Sequence, residues 1–278
     1  MFRLLNIEFH KLKHNKASRV LSIIYFGLLT SIALIAAIKF NIGTFKLHLA
    51  EQGIFNFPYI WHFNTFTASI FKFFLLLVIV SMMANEYSYK TLKQNLIDGL
   101  SKKEFILSKF YAVVTFAFIS TIFVFIVSIV LGLIYSDFNE LSIIFSDLEY
   151  LVAFFVKLVG FFSFGLFLGI LIKRSAFAVG AMIVWYLTEW LIYGILGWKV
   201  VSNWNTAQSI KNFLPLESMQ NLIIEPGSRL GAVKSIASQI GQNFTKDYSV
   251  SFTNILIVLA WSGIFIYASF ILLKKRDL

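Results

Sequence analysis

Long apolar runs, separated by a few polar segments, limit this chain to folds that lie in a lipid bilayer. Of its 278 residues, 58% are hydrophobic and only 14% are charged, and the mean hydropathy is +0.79. Water-soluble domains carry more charge than this, so the bilayer is the expected solvent. Cysteine is absent, which excludes disulfides, thiol catalysis and thiolate metal sites.

The apolar runs predict six membrane-spanning helices. A span needs about 20 mostly apolar residues to cross roughly 30 Å of hydrocarbon. The predicted spans are about 20–38, 61–84, 110–135, 150–172, 175–196 and 252–273. The first of these is expected to be a membrane helix and not a cleaved signal peptide, because the basic segment before it is too long for a signal peptide. The sequence therefore predicts an all-α integral membrane protein with one transmembrane domain over 1–278.

The basic residues predict the orientation of these spans. Most of the 24 Lys and Arg residues lie before the first span, in the 85–109 segment, in the short 173–174 connection and after the sixth span. Basic residues in short loops mark the cytoplasmic side of a membrane. Both termini are thus predicted to be cytoplasmic, and the basic excess is interpreted as a topology signal and not as nucleic-acid binding.

Two segments outside the spans have an amphipathic or apolar pattern. Residues 1–19 are predicted to form an interfacial amphipathic helix, because apolar residues recur at helical spacing among basic ones. A basic lead-in that only sets topology is the alternative. The external loop 199–250 contains an apolar stretch, which favours a short helix at the outer leaflet, with a second one in its later half, over a disordered linker.

Motifs of catalytic and metal sites are absent from the sequence. There is no G-x-x-x-x-G-K-[ST], H-E-x-x-H or G-x-S-x-G, so the chain is not expected to bind ATP phosphates by itself. His10 and His14 share a helix face without a third ligand, and a solvated basic face explains them better than a metal does. We therefore predict no catalytic residue, no metal site and no cofactor bound by this chain.

Two ionisable residues fall inside predicted spans at matching depth. Lys157 lies in the fourth span and Glu189 in the fifth, and the minimal connection between these helices makes them neighbours. An ion pair between the two residues would offset the cost of burying each charge. Lys72 in the second span is a competing partner. A role in a translocation path or proton relay, a structural pair, and snorkelling of the side chains all remain open.

The fourth span also contains a G-x-x-x-G pattern, formed by Gly165 and Gly169. Small residues at this spacing let two membrane helices approach closely. Both a seam between two subunits and packing within one subunit fit the pattern.

The 85–109 segment is a polar, basic island between the second and third spans. The second span is expected to continue beyond the membrane as a helix, followed by a short helix with an apolar stripe of leucines. Gly99 is suited to the left-handed end of that helix, and Ser101 with Glu104 forms a capping box for the next one. The predicted result is a rigid elbow that a cytoplasmic partner can push.

This arrangement resembles the permease subunits of type-2 ABC exporters, and the likeness covers the whole chain. In that family an acidic residue follows the second span, then a Thr-containing polar helix, a Gly or Pro with Ser, a basic pair, and a Lys that opens the third span. The matching positions here are Glu86, Thr91, Gly99, Ser101, Lys102, Lys103 and Lys109, with Tyr87 and Lys90 in the same stretch.

The resemblance implies that the segment is a coupling helix that docks on a separate ATP-binding-cassette ATPase. It further implies that ATP and Mg are bound by that partner, that two permease copies, identical or different, form an export path, and that the protein lies in the inner (cytoplasmic) membrane. The cargo stays open. Alternatives are a non-transporting membrane anchor or sensor, and a proton-coupled secondary transporter. The apparent lack of inverted repeats and broken helices in the sequence counts against the proton-coupled secondary transporter.

Overall fold

Helices make up nearly all of the secondary structure in the computed structural model, which describes residues 2–37, 39–42, 45–48, 53–201, 203–229 and 247–276. In chain order the helices are α1 Phe2–His14, α2 Lys16–Ala37, α3 Tyr59–Ile70, α4 Lys72–Ser88, α5 Thr91–Ile97, α6 Lys102–Tyr135, α7 Leu141–Ile144, α8 Glu149–Ile172, α9 Ser175–Ile195, α10 Trp204–Lys211, α11 Pro215–Gln220 and α12 Phe252–Lys274. Strands β1 (Lys39–Ile42) and β2 (Phe45–His48) pair antiparallel between α2 and α3. A π-helical turn covers Leu196–Val200, and a 3-10 turn covers Gly227–Arg229.

Within the described part of the chain, four helical segments are long and apolar enough to cross a bilayer alone. They are Lys102–Tyr135, Leu141–Ile172, Ser175–Val200 and Phe252–Lys274, which contain the predicted third to sixth spans. The pair α3 and α4 provides a fifth. The predicted first span corresponds to α2, whose 22 residues rise about 33 Å. A multi-pass helical membrane protein is thus confirmed, and the count of six spans stays a prediction.

The second span is broken, which corrects the expectation of unbroken helices. Helices α3 and α4 meet at Phe71 with a bend of 46°. The helix before the break contains polar residues, of which His62, Asn64 and Thr65 are buried inside the protein. Asn64, for example, donates a hydrogen bond to the Ser128 hydroxyl of α6 at 2.9 Å. Irregular backbone at membrane depth is tolerated where protein surrounds it or where it lines a cavity.

The centre of the bundle is α8, which contacts α3, α4, α6, α9, α11 and α12. The most apolar stretch of its candidate span is 83% buried inside the protein, whereas the corresponding stretches of the other three candidate spans are 11–33% buried. A Cβ on Gly165 would overlap Leu76 of α4, and one on Gly169 would lie 3.3 Å from the Met83 Cβ. The two glycines therefore let α4 and α8 pack closely within one subunit, which is one of the two alternatives left open by the sequence.

The 203–229 segment between α9 and α12 folds back onto the bundle. Leu216 and Met219 of α11 are buried, and so are Leu222 and Ile223 after it. The helical structure expected in the first half of the 199–250 loop is thus present as α10 and α11. The second helix expected in its later half falls on 230–246, outside the described residues.

Candidate functional site

The 85–109 segment folds as a helical elbow between α4 and α6. Lys90, with φ of 56°, turns the chain from α4 into α5, and Gly99, with φ of 95°, follows the end of α5. The Glu104 N–H donates to the Ser101 hydroxyl at 3.1 Å, and the Glu104 carboxylate accepts from the Ser101 N–H at 3.0 Å. The predicted capping box and the predicted left-handed glycine are therefore both observed.

The short helix α5 has an inner and an outer face. On the inner face, Leu92 is buried, and Leu96 packs against the hydrophobic core. On the outer side, Ile97 is 75% exposed and Tyr89, just before the helix, is 73% exposed, with exposed Lys93 between them in sequence. We call Tyr89, Lys93 and Ile97 the outer face of the elbow. It presents apolar and basic groups to a potential partner.

Glu86 anchors the inner side of the elbow in a buried cluster of charges. Its side chain is only 2% exposed. One carboxylate oxygen lies 2.5 Å from the Lys109 ammonium of α6 and 2.8 Å from the Lys11 ammonium of α1. The other oxygen accepts hydrogen bonds from the Thr91 hydroxyl at 2.6 Å and the Asn95 amide at 3.3 Å, both on α5. A single carboxylate thus connects four helices.

A second carboxylate completes the cluster. The Lys109 ammonium, which is fully buried, lies 2.6 Å from a carboxylate oxygen of Glu8. The Ser108 hydroxyl donates to the other oxygen of Glu8 at 3.1 Å. Together with Lys11 and Glu86 this gives two acids and two bases, which we call the ion cluster. Such a group is stable as a balanced set, because removing one member leaves an uncompensated buried charge.

Helix α1 is present within the predicted 1–19 segment, but it is shorter than expected, and its position in the headgroup layer stays a prediction. The helix ends at His14, and Glu8 and Leu12 of α1 are buried against the rest of the protein. Sequence reasoning missed Glu8 as a site residue. The available signal was that Glu8 is the only acidic residue among the first 50, so that it sits alone in a basic helix.

Tyr87 and Lys102 belong to a neighbouring cluster at the C-terminal ends of α8 and α12. Arg276 donates to the Tyr87 hydroxyl at 2.9 Å and to the Ile170 carbonyl near the end of α8 at 2.7 Å. The Lys102 ammonium donates to the carbonyls of Lys274, at 3.3 Å, and Arg276, at 2.9 Å. Free carbonyls at a helix C-terminus attract cations, so this cluster connects the elbow to two spans. The sequence reasoning did not identify Arg276.

The predicted coupling residues thus occupy different parts of the elbow. Glu86 and Lys109 belong to the ion cluster and Thr91 donates a hydrogen bond to Glu86, while Lys90 and Lys103 are exposed to solvent. Neither side chain of the exposed pair makes a hydrogen bond or ion pair among the contacts found in the described residues. Buried members fix the shape of the elbow, and exposed members are available to a partner.

Lys157 and Glu189 do not form the predicted ion pair. The Glu189 carboxylate instead accepts the backbone N–H groups of Leu216 and Glu217, each at 2.9 Å, and the indole N–H of Trp185 at 2.9 Å. It therefore caps the start of α11, where unpaired N–H groups favour an anion. Lys157 is 2% exposed and lines a cavity of about 770 Å³ on the outer side of the bend between α3 and α4.

Comparison with known proteins assigns the family. The family model described as ABC-2 family transporter protein matches residues 9–278. The chain belongs to this family. The resemblance drawn from the 85–109 segment is thereby confirmed, and this ABC-2 protein is the multi-pass membrane component of an ABC transporter. No curated protein matches the chain.

Proposed function

We propose that this ABC-2 permease is driven by a separate ATP-binding-cassette ATPase that binds the outer face of the elbow. The observation that carries the proposal is the two-sided build of α5. Tyr89 and Ile97 are large apolar side chains that are exposed, as is Lys93 between them in sequence. On its inner side, α5 is held by the hydrogen bond from Thr91 to Glu86. A surface that is exposed on one side and rigidly anchored on the other is suited to receiving a push.

The ion cluster supports a path for that push into the membrane. Glu86 is on α4, Lys109 is on α6, and Glu8 and Lys11 are on α1, so a displacement of α5 acts on three further helices at once. Helix α6 then runs unbroken for 34 residues, about 51 Å. Transport by alternating access requires helix packing with two arrangements that the ATPase biases.

The proposal includes topology and partners. Both termini would be cytoplasmic, in the inner membrane, so that the exposed lysines of the elbow meet the ATPase, which binds the ATP and Mg. A second permease copy, identical or different, would complete an export path. The Ser175–Val200 segment offers a surface for that copy, because only 11% of its most apolar part is buried against the rest of the chain.

Co-purification of the chain with a co-expressed candidate cassette ATPase tests the docking surface. We expect the wild-type permease to retain the ATPase, and the variants Lys93→Asp and Ile97→Asp to lose it. The matched control is Lys13→Asp, a charge reversal on the exposed side of α1, which should retain the ATPase. Equal retention by all four proteins would overturn the assignment of the outer face.

The break between α3 and α4 is of a kind seen in secondary transporters, but the proton relay of that alternative receives no support from the geometry. Its relay required Lys157 and Glu189 to exchange a proton, yet Glu189 is occupied by the backbone of α11. Transport by the permease without any ATPase, abolished by collapse of the proton gradient, would contradict our proposal. A non-transporting anchor or sensor would instead bind the ATPase while reconstituted complexes moved no cargo.

A further inference from the structure

The cavity beside the broken second span has an excess of unpaired positive charge. Its ionisable lining residues are Lys72, Lys157, Lys211, Glu217 and Glu225. Lys211 and Glu217 form an ion pair at 3.0 Å, so their charges compensate each other. Lys72 and Lys157 take part in no ion pair found among the described residues. Glu225, the remaining acid of the lining, has an interaction of its own, so the two lysines line the cavity with no acid assigned to them among the described residues.

The positions of these two lysines make the positive charge costly in the free protein. Lys157 is 2% exposed and lies on α8, the most buried helix of the bundle. Lys72 is the first residue of α4 and lies directly after the break in the second span. An ionised side chain within a membrane protein needs a partner or access to water to offset its desolvation. A bound anion would supply that partner.

The remaining wall of the cavity is largely apolar and aromatic. The Lys72 ammonium lies 4.7 Å from the ring centroid of Phe161. Phe66, Phe73 and Trp190 also line the cavity, and its volume of about 770 Å³ is in the range of sites for small organic ligands. An inorganic anion would leave most of this apolar surface uncovered. The lining instead fits a molecule with one charged end and an apolar body.

We propose that this cavity binds an anionic amphiphile, with its acidic head group on Lys72 and Lys157 and its apolar part against Phe161 and the neighbouring rings. The proposal names a substrate class for the permease, and in that respect it rests on the proposed function. Binding itself needs neither the ATPase nor transport. The two proposals can therefore fail independently.

Native mass spectrometry of the purified full-length chain in a neutral detergent tests the proposal. The probes are phosphatidylglycerol, phosphatidylcholine with the same acyl chains, and glycerol 3-phosphate as the free anionic head. We expect the wild-type chain to retain phosphatidylglycerol at least about tenfold more strongly than phosphatidylcholine, because hydrogen bonds from two ammonium groups to one anion distinguish them. Glycerol 3-phosphate should be retained weakly.

Substitutions locate the binding. The double variant Lys72→Gln with Lys157→Gln should lose the preference for phosphatidylglycerol. The matched control Lys199→Gln should keep it, because Lys199 is an exposed lysine at the end of α9 that does not line the cavity. An unchanged elution volume and unchanged capture of the ATPase show that the double variant is folded and leave the docking proposal untouched.

Three results would overturn the inference. Equal retention of the two lipids by the wild-type chain would show that head-group charge is not recognised. A preference that survives in the double variant would assign the anionic lipid to the outer surface of the protein. Retention of glycerol 3-phosphate as strong as that of phosphatidylglycerol would make the cavity a site for free anions, and not for amphiphiles.

Discussion

Lys109 is the residue on which the ion cluster most depends, because its buried ammonium lies between two buried carboxylates. In Lys109→Met, Glu8 and Glu86 would keep their charges with only Lys11 to compensate them. Breaking a buried ion pair from one side costs about 3–5 kcal/mol. We therefore expect a clearly lower midpoint of thermal unfolding in detergent micelles.

A second substitution checks that charge balance is the cause. Combining Lys109→Met with Glu8→Gln removes one base and one acid, so part of the lost stability should return. The control Lys13→Met alters an exposed lysine on α1 and should leave the midpoint unchanged. Purely additive losses in the double variant would contradict the cluster.

Glu189 accepts hydrogen bonds from backbone N–H groups at the start of α11. Its removal should therefore affect that helix and not Lys157. Glu189→Ala should loosen the start of α11, with a loss of about 0.5–2 kcal/mol as for other removed helix caps. Hydrogen exchange measured over residues 215–220 should become faster. Lys157→Gln should leave this exchange unchanged. If the two substitutions instead showed strong energetic coupling in a double-mutant cycle, the two charges would interact after all.

At the scale of elements, a glycine in the contact between α4 and α8 and a glycine outside it should respond oppositely to replacement by alanine. In Gly165→Ala the added Cβ would overlap a terminal methyl group of buried Leu76, which must shift within the packed core at a cost of about 1–3 kcal/mol. Gly180 on α9 has no atom within 4 Å of its Cβ position, so Gly180→Ala should gain up to about 1 kcal/mol from helix propensity. Thermal unfolding of the two variants in the same detergent compares them. A lower midpoint for both would place the effect outside this contact.

The elements that the sequence predicted correctly are those specified by neighbouring residues. The capping box needs only Ser101 and Glu104, and the turn after α5 needs only a residue such as Gly99 that tolerates positive φ. Spans three to six follow from long, mostly apolar runs, which need no tertiary information. Local signals of this kind survive in the fold because nothing opposes them.

The elements that the sequence did not reveal depend on contacts between distant parts of the chain. Hydropathy averaged over a span does not show the bend at Phe71 or the burial of polar α3 residues against α6. The partner of Glu189 lies 27 residues further along, in a loop helix, so the two intramembrane charges suggested a simpler pair than the one formed. The same holds for Glu8, 101 residues from Lys109.

At the scale of the whole molecule, the elbow has to hold one shape while the ATPase moves it. Gly99 controls that shape, because a φ of 95° is unfavourable for residues with a Cβ. No atom lies within 4 Å of its Cβ position, so a substitution strains the backbone without a steric clash. The expected strain is about 1–2 kcal/mol, which is enough to favour another turn between α5 and α6 without unfolding the spans.

We therefore expect Gly99→Val to uncouple the transporter. The ATPase should still co-purify, because the outer face of the elbow is retained, but ATP hydrolysis by the reconstituted complex should no longer be accompanied by transport at the wild-type ratio. Gly99→Asn is the matched control, since Asn adopts positive φ more readily than Val, and its loss of coupling should be smaller. Wild-type coupling in Gly99→Val would mean that the turn transmits no motion. Loss of ATPase binding in that variant would mean that Gly99 shapes the docking surface and not the connection to the membrane.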